Sequence, residues 1–134
     1  MPNLTHIKIS FLDRNGNLPK ISGLNWGQRA GREKNQAYIK LPSNVYHSNF
    51  FPPIGVRFVL ETDDGRSFTC TRAQANGKAI ETPENNSLLG LYFRRRLNLN
   101  RGVLVEKQHL LDYGRTDLDI FKVSENTYRI DFSV

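Results

Sequence analysis

Two segments of the chain collect the side-chain types that read nucleic-acid bases. Residues 18–35, LPKISGLNWGQRAGREKN, hold Lys20, Asn25, Gln28, Arg29, Arg32, Lys34 and Asn35, with Gly23, Gly27 and Gly31 at every fourth position. Arginine can donate two parallel hydrogen bonds to guanine O6 and N7, and asparagine or glutamine can do the same at adenine N6 and N7. Glycine spacers would let the backbone approach a phosphate. Residues 71–78, TRAQANGK, place Arg72, Gln74, Asn76 and Lys78 at alternate positions. On a strand, alternate side chains share one face. The segment therefore reads as part of a two-stranded ribbon whose polar face suits a major groove about 12 Å wide. Each segment also has a plainer reading, as a solvated loop and as a sheet edge blunted by polar residues. Trp26 either stacks on a ligand or anchors its loop to the body of the protein.

A third basic group, Arg94-Arg95-Arg96, falls on a predicted helix. At roughly 100° per residue the three span about 300° of circumference, so they cannot all meet one ligand. Arg94 is retained as a candidate phosphate contact. His6-x-Lys8-x-x-x-x-Asp13 has the spacing used by phospholipase-D-like nucleases, in which a histidine attacks phosphorus and the lysine holds the phosphate. That chemistry needs a second copy and a downstream Gly/Ser and Asn, and Lys20-Ile21-Ser22-Gly23 does not supply them. A minimal phosphodiesterase using His6 and Lys8 stays as an alternative. His6, His47 and His109 lack metal-ligand spacing. Cys70, the single cysteine, reads as a small core residue. No nucleotide-binding or nucleophile-elbow motif occurs, and no cofactor is expected.

The elements that must hold these side chains follow from the pattern around them. Residues 4–12 alternate and predict a strand, and Asn15-Gly16 turns the chain. The 18–35 stretch has neither strand nor helix period and predicts an exposed excursion. QAYIKL (36–41) predicts a second strand, and Ser43 the cap of a short helix stopped by Pro52-Pro53. VRFVLET (56–62) and SFTCTRAQ (67–74) predict a hairpin through Asp64-Gly65, with Asp63-Asp64 as turn residues, and 78–83 a further strand. Residues 85–97 predict the main helix, with Leu88, Leu91, Tyr92 and Arg95 on one stripe and Leu89, Phe93 and Leu97 beside it. Residues 103–111, 118–123 and 127–132 predict the last strands. About seven strands suggest a mainly β, antiparallel and partly closed barrel, with two helices over its open ends.

The chain of 134 residues has one domain's worth of length. Nineteen basic against thirteen acidic side chains give a net charge of +6. The charge is segregated: 14–40 carries six bases against Glu33 alone, and 84–102 carries four arginines against Glu84 alone. Clustering of this kind suits a directed contact with phosphate. No apolar run reaches the ~20 residues of a spanning helix. The start lacks a cleavable leader pattern. With one cysteine and no possible internal disulfide, a reducing, cytoplasmic setting is expected, with no membrane contact.

SGLNWGQRAGREKNQAYIKLP (22–42), the block from Phe58 to Leu97 and DYGRTDLDIF (112–121) together resemble the C-terminal domain of NgoFVII-type restriction endonucleases. That domain is similar to the recognition domains of BfiI and EcoRII and to the plant B-three transcription-factor domain. The resemblance implies a seven-stranded open pseudobarrel with two helices, whose two arms grip duplex DNA through the major groove. By position the arms would be 22–35 and 72–81. It implies that Asn25, Gln28, Arg29, Arg32, Lys34, Asn35, Arg72, Gln74, Asn76 and Lys78 belong to them. It further implies a parent enzyme whose phospholipase-D-like nuclease domain lies elsewhere, with a helicase-like subunit as a candidate partner; the chain is then either an excised recognition domain or a stand-alone protein. A third reading, a barrel for single strands or RNA, would need exposed aromatic platforms.

Overall fold

The computed structural model describes residues 5–134. Seven strands form one sheet: β1 (His6–Ser10), β2 (Ile39–Lys40), β3 (Phe58–Thr62), β4 (Ser67–Ala73), β5 (Ala79–Glu81), β6 (Asp117–Ser124) and β7 (Thr127–Asp131). Their order is β1-β6-β7-β3-β4-β5-β2. All neighbours run antiparallel except β3 and β7, which pair in parallel from Val59 opposite Thr127 to Thr62 opposite Ile130. The sheet curls into a nearly closed barrel whose two free edges are β1 and β2. Leu4, the first residue of the predicted first strand, lies outside the described residues.

Period-two alternation accounts for the closure. Ile7 and Ile9 on β1, Phe58 and Leu60 on β3, Leu118 and Ile120 on β6, and Tyr128 and Ile130 on β7 all point into one apolar core. Cys70 on β4 and Ile80 on β5 join it. Burial pushes the Cys70 thiol up to about 12, which leaves it inert. Tyr128, fully enclosed, donates its hydroxyl to the Phe50 carbonyl at 2.5 Å.

Three α-helices accompany the sheet: α1 (Ser43–Tyr46), α2 (Leu88–Arg96) and α3 (Lys107–Tyr113). α3 replaces the strand expected at 103–111. Its start is a reciprocal cap in which the Glu106 side chain takes an early backbone N–H and His109 Nδ1 accepts from Glu106 N at 2.9 Å. Gly114, with φ at 107°, closes its end. Those caps outweigh the apolar Val103-Leu104-Val105 run that suggests a strand. The α2 stripe is also rotated from expectation. Leu89, Tyr92, Phe93 and Arg94 face inward, whereas Leu88 and Arg95 are exposed. The second strand is shorter than expected, and Pro42, not Ser43, occupies the cap position of α1. Among the described residues no helix is long and apolar enough to cross a membrane.

The β3–β4 turn fastens α2 to the barrel. Arg96 Nη1 and Nη2 donate to the two oxygens of Asp63 at 2.9 and 3.0 Å, and Asp63 Oδ1 also accepts Phe132 N at 2.9 Å. Asp64 takes Thr62 Oγ1 at 2.6 Å, the Tyr92 hydroxyl at 2.8 Å and Arg95 Nη2 at 2.9 Å. Burial alone would push the Asp64 carboxyl up. The Thr62, Tyr92 and Arg95 bonds outweigh it and hold the group well below the usual carboxylate range. Such a group stabilises the fold fully above its unfolded pKa of about 4, and the contribution fades as pH falls from that value down through the depressed folded pKa. Thermal unfolding followed by circular dichroism from pH 7 to pH 2 should therefore show a falling midpoint below about pH 4. Asp64→Asn should unfold at a lower temperature at pH 7 and lose less on acidification. Parallel pH curves for the two proteins would contradict this.

Candidate functional site

A cleft of about 920 Å³ opens between the two free edges of the sheet. β1 and its continuation contribute Lys8 to Asn15, the β1–β2 connection contributes Pro19 and Ser22 to Leu24, and β2 contributes Tyr38 and Lys40 with Pro42 beyond. Lys78, at the end of the β4–β5 turn, completes the lining. Four cationic side chains from separate places in the sequence (Lys8, Arg14, Lys40 and Lys78) thus share one concave surface. Its single carboxylate, Asp13, is occupied locally: its Oδ1 accepts Asn15 N at 2.9 Å and Asn17 N at 3.0 Å.

The long β1–β2 connection is only partly an exposed excursion. Residues Gly23–Gln28 form a 3-10 helix, and Leu24, Asn25, Trp26 and Gly27 within it are buried. Asn25 is fully enclosed. Its amide nitrogen donates to the carbonyls of Pro19 and Val105, both at 2.8 Å, and its oxygen accepts Val105 N at 2.8 Å. Trp26 packs edge-on against Tyr38 with ring centroids 5.2 Å apart, so it anchors the loop. A β-carbon on Gly27 would stand 2.2 Å from the Glu33 carbonyl oxygen. That glycine serves a close approach of backbone to backbone, and not to a phosphate.

The chain then doubles back, and the far side of the connection is bolted to α2. A β-carbon on Gly90 would stand 1.7 Å from the Asn35 carbonyl oxygen, so only glycine admits this packing. Arg94, 1% exposed, donates from Nε to the Val103 carbonyl at 2.9 Å and from Nη1 to the Gly90 carbonyl at 3.2 Å. Its Nη2 reaches the Lys34 carbonyl at 3.5 Å. Glu33 accepts the Ser87 hydroxyl and two Asn35 donors; these bonds, the Ser87 one foremost, lower its carboxyl below the usual value. Arg29 and Lys34 project into solvent at the tip, and Arg32 lies 3.8 Å over the Trp26 ring while donating to Gln36 Oε1 at 2.8 Å.

The β4–β5 turn departs from the ribbon expected of it. Gln74, Asn76 and Gly77 all have positive φ, at 64°, 62° and 67°. Those values break the pleat, so the four alternate side chains do not share one face. Gln74 and Asn76 are exposed, and Gln74 Nε2 donates to Glu81 Oε1 at 3.0 Å. Arg72 instead turns inward. Its Nε donates to the Gly77 carbonyl at 3.1 Å, Nη1 to Pro52 at 3.2 Å, and Nη2 to Tyr46 at 2.8 Å and Asn76 at 3.2 Å.

Three of the candidate residues, Asn25, Arg72 and Arg94, are interior struts in this structure: buried polar groups that hold backbone carbonyls in place. Lys20, Arg29, Lys34, Gln74 and Asn76 are exposed, and Gln28, Arg32, Asn35 and Lys78 are half-buried. Gln28 and Asn35 are engaged with Gly102, through Gln28 Nε2 to its carbonyl at 3.2 Å and its N–H to Asn35 Oδ1 at 2.6 Å. Lys8, Arg14 and Lys40 were not singled out as contacts in the sequence. Arg14 and Lys40 enter there only as part of the basic 14–40 segment, and Lys8 only through the nuclease-like spacing. Of the nuclease-like triplet, Lys8 lines the cleft, while the side chains of His6 and Asp13 are engaged in other contacts. His6 Nε2 pairs with Asp119 at 2.7 Å and stacks on Phe121, while Asp13 caps its turn. Among the described residues no group of three His, Cys, Asp or Glu side chains could hold a metal ion.

Residues 1–124 match the family described as the NgoFVII C-terminal B3-like DNA-binding domain. No curated protein matches the chain in sequence. A solved structure of a hypothetical Arabidopsis thaliana protein aligns with TM-score 0.43 and 13% identity, covering 97% of this chain and 92% of that one.

Removal of a strut should cost stability where removal of an exposed reader does not. Arg72→Ala leaves the Tyr46, Pro52, Asn76 and Gly77 carbonyls without their donor. It is expected to lower the unfolding free energy by at least about 2 kcal/mol in urea titration. Gln74→Ala should stay within about 0.5 kcal/mol of the parent. Equal effects would deny Arg72 its supporting role.

Proposed function

The chain belongs to the NgoFVII C-terminal B3-like DNA-binding domain family, and from that premise we propose that it reads a short sequence in duplex DNA as the target-recognition domain of a type II restriction endonuclease. The β1–β2 connection and the β4–β5 turn act as two arms entering the major groove. The observation that carries this reading is the basic cleft between the free sheet edges, which is flanked by both arms. Lys8, Arg14, Lys40 and Lys78 neutralise phosphates there and set affinity. Lys20, Gln28, Arg29, Arg32, Lys34 and Asn35 on one arm, with Gln74 and Asn76 on the other, supply base-edge and further phosphate contacts. Asn25, Arg72 and Arg94 keep those arms in shape. Cleavage in the parent enzyme falls to a separate phospholipase-D-like nuclease domain, with a helicase-like subunit as a further partner.

The rival readings lack comparable support. A phosphodiesterase needs a free His6, which here is paired with Asp119 and stacked on Phe121. A single-strand barrel needs exposed aromatic platforms. The aromatics lining the cleft are Phe11, packed on Phe93 and Phe132, and Tyr38, buried against Trp26.

Selection from a randomised duplex library near 150 mM salt should recover one short motif. On that motif, Lys8→Ala and Lys40→Ala should each reduce the slope of log affinity against log salt by about 1, with the motif unchanged. Gln74→Ala or Asn76→Ala should instead relax the sequence preference, by about 1–3 kcal/mol at the affected base pair. Failure to retain duplex would overturn the reading, and retention without a motif would restrict the arms to phosphate.

A further inference from the structure

Beside the β4–β5 turn stands an aliphatic side chain whose exposure the fold does not require. Ile54 is 57% exposed. It occupies the turn Pro53-Ile54-Gly55-Val56, closed by Val56 N donating to the Pro53 carbonyl at 3.0 Å, with Gly55 at φ 83°. The turn is fixed to β4 on both sides. Gly55 N donates to the Arg72 carbonyl at 3.2 Å, and Arg72 Nη1 donates to the Pro52 carbonyl at 3.2 Å. A β-carbon on Gly77 would stand 2.7 Å from Ile54 Cγ1, so one side of the isoleucine lies directly on the backbone of the β4–β5 turn. The same guanidinium thus orders the turn carrying Gln74 and Asn76 and the turn carrying Ile54.

We propose that Ile54 is a specificity residue that reads the C5-methyl group of a pyrimidine in the major groove. This rests on the two-arm reading above. The chemistry follows from what base edges offer. Donors and acceptors face Gln74 and Asn76, but the apolar group a major groove presents is the C5 methyl. That methyl belongs to thymine, or to cytosine when it is methylated at C5. A β-branched side chain on a pinned turn loses little rotamer freedom on contact. It therefore gains most of the apolar burial, about three- to fivefold in affinity for one methyl. Lysine or arginine at this place would seek phosphate, whereas isoleucine gains nothing from a phosphate and rewards only an apolar edge.

The test uses the full chain and the duplex recovered by library selection. Each thymine is replaced singly by uracil, and each cytosine singly by 5-methylcytosine, with affinity read by fluorescence anisotropy. Loss of three- to fivefold on one thymine-to-uracil change identifies thymine as the source. A gain of that size on one cytosine methylation identifies 5-methylcytosine. Either difference should vanish in Ile54→Ala and persist in Ile21→Ala, which trims the exposed aliphatic of the other arm. Ile54→Ala should keep the parent's thermal midpoint and its retention on random duplex. A recovered motif with no methyl effect at any position, or an effect that survives Ile54→Ala, overturns this inference and leaves the two-arm reading standing. Recovery of no motif removes this inference and restricts the arms to phosphate, and failure to retain duplex removes both.

Discussion

Hydrogen bonds from buried guanidinium groups to backbone carbonyls are the interaction on which the rest of this structure depends. Irregular chain segments carry carbonyls that no ladder or helix satisfies, and each one left dry is costly. Arg72 and Arg94 donate to seven carbonyls between them, most of them in such segments. The two arginines sit under the two connections that carry the exposed polar side chains. A planar group with several donors in a fixed fork suits that task, because it satisfies diverging carbonyls without bending. The loops are consequently shaped before any ligand arrives, which reduces the ordering cost of binding.

Close backbone packing completes the arrangement. Gly27 and Gly90 admit carbonyl oxygens where any β-carbon would collide, and Asn25 closes the remaining donors and acceptors between the β1–β2 connection and Val105. Side chains left at the tip, such as Arg29 and Lys34, are then free to face outward. Arg32 gives up part of its freedom to the Trp26 ring and Gln36. The division of labour is physical: groups that meet carbonyls inside set the shape, and groups that meet water carry the charge.

Much of this was legible in the sequence because period-two alternation survives single exceptions. β1, β3, β4, β6 and β7 stand where the pattern places them, as does α2. The helix at Lys107–Tyr113 was obscured because Val103, Leu104 and Val105 carry strand propensity, while its caps are signalled only by Glu106, His109 and Gly114. The clustering of basic residues was legible, but not their orientation. Arg72, Arg94 and Asn25 have the composition of DNA contacts, and nothing in residue type distinguishes a guanidinium that meets a base from one that meets a carbonyl. The cleft itself is a long-range product. Lys8 and Lys40 meet only because the sheet curls until its first and last edges approach.

The parallel pairing of β3 with β7 has a consequence for how the molecule is assembled in time. The sheet consists of two sets, β1-β6-β7 and β3-β4-β5-β2, and that single ladder is their hydrogen-bonded junction. The second set is complete once Glu81 has been synthesised, whereas β1 waits for β6, more than a hundred residues downstream, before gaining a neighbour. Pairings so distant in sequence close slowly, because the entropy of the intervening chain is lost before the contact returns anything. On the ribosome, β1 and the unjoined side of β3 would therefore stand as bare templates for foreign strands until β6 and β7 have been made. The lysine in the middle of β1 is well placed to discourage that intermolecular pairing until β6 and β7 emerge.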